Sequence, residues 1–129
     1  MTALEAAGLW SGLLILLMVA LSVRVMMGRW KHRVSLGDGG SEPMTVLSRS
    51  FGNAAEYVPI GLAALILMAL LGVSSGWVHA VGGGLLVGRG LHPFGLAMKA
   101  PNWARAAGML LTWIPLIFAA GLIVGAAFA

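Results

Sequence analysis

The sequence predicts an all-α integral membrane protein, a bundle of four helices. Three observations carry this. Of 129 residues, 60% are hydrophobic and only 9% are charged, with a mean hydropathy of +0.96. A soluble domain usually carries about 25% charged residues and could not cover so much apolar surface. The apolar residues fall into four long runs, each close to the roughly 20 residues that cross a hydrocarbon core about 30 Å thick. The basic residues collect between runs one and two and between runs three and four. Disorder is excluded by the hydrophobicity. The absence of cysteine excludes disulfide scaffolds, thiolate zinc sites and a cysteine nucleophile.

The first span is expected over about 5–28. Ala6 to Val23 carries no charge and ends at Arg24. No basic stretch precedes it, and basic residues follow it where a signal peptide would have a small-residue cleavage site, so it reads as a mature helix. The polar loop after it contains Gly37-Asp38-Gly39-Gly40, a sharp turn by composition.

The second span is expected over 46–72. The Ser41-Glu42-Pro43 stretch marks a helix start, Tyr57 to Val78 is free of charge, and Pro59 is expected to loosen the helix locally. The third, over 76–95, is rich in glycine and apolar except for His79 and Arg89 before Pro93, which is expected to end or kink it. The short turn near Gly72 to Gly76 makes spans two and three an antiparallel hairpin. The fourth, over 104–128, belongs to a run without charge from Ala106 to Ala129. Residues 1–129 form one domain.

Charge gives the orientation. Arg24, Arg29, Lys31, Arg33 and Arg49 flank the first loop, and Lys99 and Arg105 flank the third. The N-terminus, the second loop and the C-terminus carry no Lys or Arg. The positive-inside rule then puts the basic loops in the cytoplasm and both termini outside. The net charge of +4 sets topology and meets anionic lipid; it is no nucleic-acid footprint. Trp10, Trp30, Trp77 and Trp103 fall near span ends, where interfacial anchors are expected. Three glycine pairs at four-residue spacing, Gly8/Gly12, Gly84/Gly88 and Gly121/Gly125, suit close helix packing in lipid.

A few polar residues interrupt this pattern. Arg49, Asn53 and Glu56 recur at i, i+4 and i+7 and share one helix face. They read either as a ligand site or as an Arg49–Glu56 ion pair with Asn53 bridging helices. Arg89 and His92 lie three apart on the third span, and Arg105 opens the fourth. Topology brings all six to one membrane level on the cytoplasmic side. Several arginines with one Glu and one Asn suit an anionic ligand that also carries an ammonium group: Arg binds carboxylate bidentately, Glu56 takes an amine, Asn53 donates and accepts. His32, His79 and His92 lack metal-ligand spacing, so no metal is expected, and His79 reads as a hydrogen-bonded residue near the outer turn. No phosphate loop is present.

These residues carry a resemblance that runs over almost the whole chain. HRVSLGDGG (32–40), RSFGNAAEYVP (49–59), GRGLHPFG (88–95) and RAAGMLLTW (105–113) together resemble the MAPEG family, the membrane-associated proteins in eicosanoid and glutathione metabolism, and especially its small bacterial inner-membrane branch. The resemblance implies a homotrimer of left-handed four-helix bundles. It implies glutathione as thiol co-substrate, bound between subunits on the cytoplasmic side, with a lipophilic small molecule entering from the bilayer. By position, Arg49, Asn53 and Glu56 would hold the tripeptide and Arg89 and His92 would line the same pocket. Arg105 would stabilise the thiolate, and Arg29 would serve the co-substrate or the peptide end. The implied activity is a glutathione-dependent membrane transferase or peroxidase, with a non-catalytic lipid-binding or lipid-presenting member as the alternative. A small transporter would place ionisable groups at mid-membrane, whereas the charges here lie toward span ends. The sequence departs from the pattern at Leu96, where several members place a tyrosine, and at Phe51 and Gly52, where some carry basic residues or histidine.

Overall fold

A computed structural model describes residues 1–128; Ala129, the last residue of the fourth apolar run, lies outside them. The chain folds as four helices: α1 (Ala3–His32), α2 (Glu42–Leu70), α3 (Ser75–Ala97) and α4 (Trp103–Ala127). Local chemistry sets their ends. Thr2 and Glu5 form a reciprocal capping box at α1, with the Glu5 carboxylate accepting from Thr2 N at 2.7 Å. The Asn102 side chain accepts from Arg105 N at 2.9 Å and starts α4.

The α1–α2 connection is built by its own polar residues. Gly37, Gly39 and Gly40 all have positive φ, which glycine adopts without steric cost. Asp38 accepts from Gly40 N at 3.0 Å and from the Thr45 hydroxyl at 2.9 Å. The Gly40 N–H, and after it the Thr45 hydroxyl, holds the Asp38 carboxyl below the usual carboxylate value. Arg29 donates to the Ser35 and Gly37 carbonyls at 3.3 and 3.1 Å.

Helices α1, α2 and α4 are long and apolar enough to cross a membrane. Helix α3 is less apolar, because His79, Arg89, His92 and its glycines dilute the run. Like α2, it packs against all three other helices, while α1 and α4 do not touch among the described residues. Its polar groups therefore face protein, the position in which a membrane bundle tolerates them.

Close approaches fix the register. Gly28 of α1 lies against Met44 and Leu47 of α2, Gly61 of α2 against Leu85 of α3, and Gly95 of α3 against the Arg105 backbone. A Cβ on Gly88 would stand 2.8 Å from the Leu111 carbonyl carbon and 2.9 Å from Thr112 Oγ1. The small residues let backbones meet, which is where association in lipid gains its van der Waals energy. These contacts bring the C-termini of α1 and α3 and the N-termini of α2 and α4 to one end of the bundle. That end holds seven of the eight basic residues outside the core; Arg89 is the buried one. Leu14, Leu65, Met68, Val78, Val81 and Leu85 fill the core, while Leu16, Ile114, Ile117 and Val124 face outward, as a lipid-facing surface requires.

The structure refines several of these expectations. Of the glycine pairs, Gly84 and Gly88 pack against α4, but Gly8, Gly12, Gly121 and Gly125 meet nothing within 4 Å. Pro93 neither ends nor breaks α3, which continues to Ala97. Gly108 admits the His92 backbone to within about 3 Å of where a Cβ would sit, and the neighbouring Pro93 is buried. Trp10 is tied to α3. Its indole is half-buried over Gly82, and its Nε1–H donates to His79 Nδ1 at 2.9 Å. Pro59 also lies inside an unbroken helix.

Candidate functional site: a cationic pocket at the polar end

Arg89 is the centre of the polar cluster. It is 1% exposed, and its donors tie α3 to two other helices. Nε donates to Thr112 Oγ1 at 2.7 Å, Nη2 to the Gly108 carbonyl at 3.0 Å and to Met109 Sδ at 3.4 Å, and Nη1 to Asn53 Oδ1. Its guanidinium also lies 5.0 Å from the centre of the Tyr57 ring, a cation–π distance. A buried cation needs such a set of acceptors. Thr112 donates in turn to Gly108 O at 2.8 Å.

This lock orients Asn53. With Oδ1 held by Arg89, the two hydrogens of the Asn53 amide nitrogen remain for another acceptor. Beside it lies a pocket of about 190 Å³ lined by Arg49, Asn53, His92, Leu96, Arg105 and Met109. Three helices thus deliver two arginines, an amide and an imidazole to one small space. Arg49 and Arg105 are exposed, and neither side chain has a hydrogen-bond partner among the described residues. The arrangement offers donors and positive charge with no carboxylate in the lining. Among the described residues no three His, Asp or Glu side chains converge to hold a metal ion.

Three of the residues singled out from the sequence do not line this pocket: Arg89 is buried behind Asn53 as the lock, and Arg29 and Glu56 lie elsewhere. Arg29 is used by the α1–α2 loop and lines a separate space with Met26, Trp30 and Arg33. Glu56 is exposed on the flank of α2 and makes no ion pair with Arg49 among the described residues. The ion-pair reading of Arg49 and Glu56 therefore has no support within the protomer; Asn53 is bridged to α3 by Arg89 instead. The sequence reading missed Thr112, Met109 and Tyr57. Thr112 carried a signal, a polar side chain one helical face below Arg105 in an otherwise apolar run. The Tyr57 hydroxyl accepts from Trp113 Nε1 at 3.1 Å and joins α2 to α4.

The fold and pocket define a class: a small polytopic membrane protein whose helices bring two arginines, an amide and an imidazole to one pocket at their basic end. The MAPEG family model matches residues 7–125, and the chain belongs to that family. Among curated proteins it is similar to inner membrane protein YecN of Escherichia coli K12, 35% identical over 111 residues that cover 86% of this chain and 84% of the relative. The YecN protein of Escherichia coli O6:H1 matches with the same identity and coverage.

Proposed function

We propose that the protein binds glutathione at the pocket of Arg49, Asn53, His92 and Arg105 and activates its thiol for attack on a lipophilic electrophile or hydroperoxide. One observation carries this reading: three helices converge cations and an oriented amide on a single pocket, in a chain of a family whose members are glutathione-related. The tripeptide's carboxylates suit Arg49, which leaves Arg105 for the sulfur. Its carbonyls suit the free Asn53 amide hydrogens. A guanidinium within reach of the sulfur favours the thiolate, the nucleophilic form. The chain then needs no cysteine of its own.

The pocket of about 190 Å³ is smaller than the roughly 300 Å³ at which ligand sites begin. A tripeptide would need walls from outside the protomer. Glu56, exposed on α2, and the open glycines of α1 and α4 supply surface for a second copy. A homotrimer would complete the site and give Glu56 the ligand's ammonium group. The family and the inner-membrane relatives favour a bacterial inner-membrane location, with the basic end in the cytoplasm.

The test is titration of detergent-purified protein with glutathione, followed by the thiolate absorbance near 240 nm. The expected result is a saturable rise in wild type that is absent in Arg105→Ala, with the helix content of the two proteins equal. No binding and no turnover with aryl halide or hydroperoxide substrates would overturn the enzyme reading. Retention of a bound lipid in the same preparation would then favour the lipid-presenting alternative.

A further inference from the structure

A larger cavity lies outside the pocket just described. It is a groove of about 640 Å³ between the C-terminal turns of α1 and the first turns of α2. Arg24, Met27, Gly28, Lys31 and His32 of α1 share one face of that helix. Glu42, Pro43, Val46 and Leu47 of α2 form the facing wall, and Ala97 of α3 closes the end. Gly28 lets α1 approach Met44 and Leu47 directly, which makes the floor.

Charge and apolar surface are ordered along the groove. Lys31, His32 and Glu42 stand at the mouth. Met27, Val46 and Leu47 follow, and Arg24 lies about 12 Å from His32 along the helix, at 1.5 Å per residue. Arg24 and Lys31 are exposed and have no hydrogen-bond partner among the described residues, unlike the neighbouring Arg29. Two fixed cations against one carboxylate leave the groove net positive. The mouth offers an incoming group two cations and a single carboxylate, so its complement is an anion. A phospholipid matches on both counts, with a phosphate for the cations and acyl carbon for the aliphatic walls.

We infer that this groove is a binding site for one anionic phospholipid, with its phosphate at the mouth beside Lys31, where the long Arg24 side chain also reaches, and an acyl chain along Met27, Val46 and Leu47. The inference is independent of the thiol chemistry, because no residue is shared between the two sites.

The experiment is native mass spectrometry of the full chain in detergent, delipidated and then offered dioleoyl phosphatidylglycerol or dioleoyl phosphatidylcholine. Phosphatidylglycerol should be retained preferentially, and Arg24→Gln with Lys31→Gln should lower its retention about 25-fold, at about fivefold per basic residue. Arg33→Gln, whose side chain lines a different space, should leave retention unchanged. Equal retention of the two lipids, or wild-type retention by the double variant, would overturn the proposal. Equal protection by sn-glycerol 3-phosphate alone would assign the groove to a soluble phosphate and overturn the lipid. Should the double variant fail to fold, Glu42→Gln provides the second arm. Removing the one negative charge should raise phosphatidylglycerol retention, and no rise would refute the site.

Discussion

Replacing Arg89 by methionine isolates the lock from the ligand pocket. Methionine fills much of the same volume with no donor and no charge. The variant loses three hydrogen bonds from a charged donor to oxygen, those to Asn53, Thr112 and the Gly108 carbonyl, each worth about 1.5–3 kcal/mol. Much of that gross sum is offset, because the folded state no longer strips a guanidinium of water, a penalty of several kcal/mol. The groups left behind decide the sign. Gly108 O keeps the Thr112 hydroxyl, so it stays satisfied. Asn53 Oδ1 loses its partner outright, at about 1–3 kcal/mol, and the shortfall in volume leaves a cavity that costs about 1 kcal/mol more. The expected net destabilisation is about 2–4 kcal/mol, read as the shift in unfolding midpoint in mixed micelles followed by far-UV circular dichroism. The double variant Arg89→Met, Asn53→Leu removes both partners and should recover at least about 1 kcal/mol relative to the sum of the single changes. A midpoint for Arg89→Met within about 0.5 kcal/mol of wild type, or strict additivity in the double variant, would refute the lock.

Three further outcomes follow from the same structure. Gly88→Ala forces a Cβ against the Leu111 backbone at 2.8 Å and should cost about 1–3 kcal/mol of stability. Gly90→Ala meets nothing within 4 Å and should gain up to about 1 kcal/mol from helix propensity; thermal melts of the pair compare them directly. Asp38, whose carboxyl is held below its ordinary value, contributes stability that is present above the unfolded carboxylate value of about 3.9 and is lost as pH falls through the lower folded value. Limited proteolysis of the α1–α2 loop should therefore accelerate in acid in wild type and be insensitive to pH in Asp38→Asn. His79→Ala removes the acceptor of the Trp10 indole and should change the indole fluorescence of Trp10, in a background without the other tryptophans, without altering glutathione binding.

Hydropathy made the four helices legible, since the sequence patterns of α1, α2 and α4 are dictated by a single requirement, the burial of a long apolar run in lipid. The ends were less so. The charge-free run begins only at Tyr57 and the second span is expected from 46, but α2 starts at Glu42, where the Ser41-Glu42-Pro43 stretch marks a helix start, because a helix leaving the bilayer continues through polar residues. Spacing also brought Arg49, Asn53, His92 and Arg105 to one level, and the structure joins them in one pocket. What spacing could not supply is the partner of each group. Arg89 and Arg49 look alike in the sequence; only the approach of Gly108 and Thr112 makes the first a buried crosslink and leaves the second free. Arg29 was indistinguishable from a pocket residue until the loop carbonyls that consume it were seen.

Depth within the bilayer separates the remaining charges. Helix α2 is free of charge from Tyr57 to its end at Leu70. Counting about 20 residues back from Leu70 places the far edge of the hydrocarbon core near Phe51. Arg49 and Arg105 lie at or beyond such an edge, and their long side chains can reach water from there. Glu56 lies about five residues, or about 7 Å, inside it, and its short side chain cannot make that reach. Nothing in the protomer answers it, since Arg89 is occupied by Asn53, Thr112 and Gly108. A carboxylate at that depth, facing outward on an apolar helix, is costly unless something outside the chain supplies a donor or a cation. Glu56 is therefore the residue that most strongly requires another subunit or a ligand at this surface. Its replacement by glutamine should raise the thermal stability of the isolated protomer while weakening whatever assembly or ligand complex the native protein forms. A loss of protomer stability in Glu56→Gln would show that the carboxylate is already satisfied within one chain.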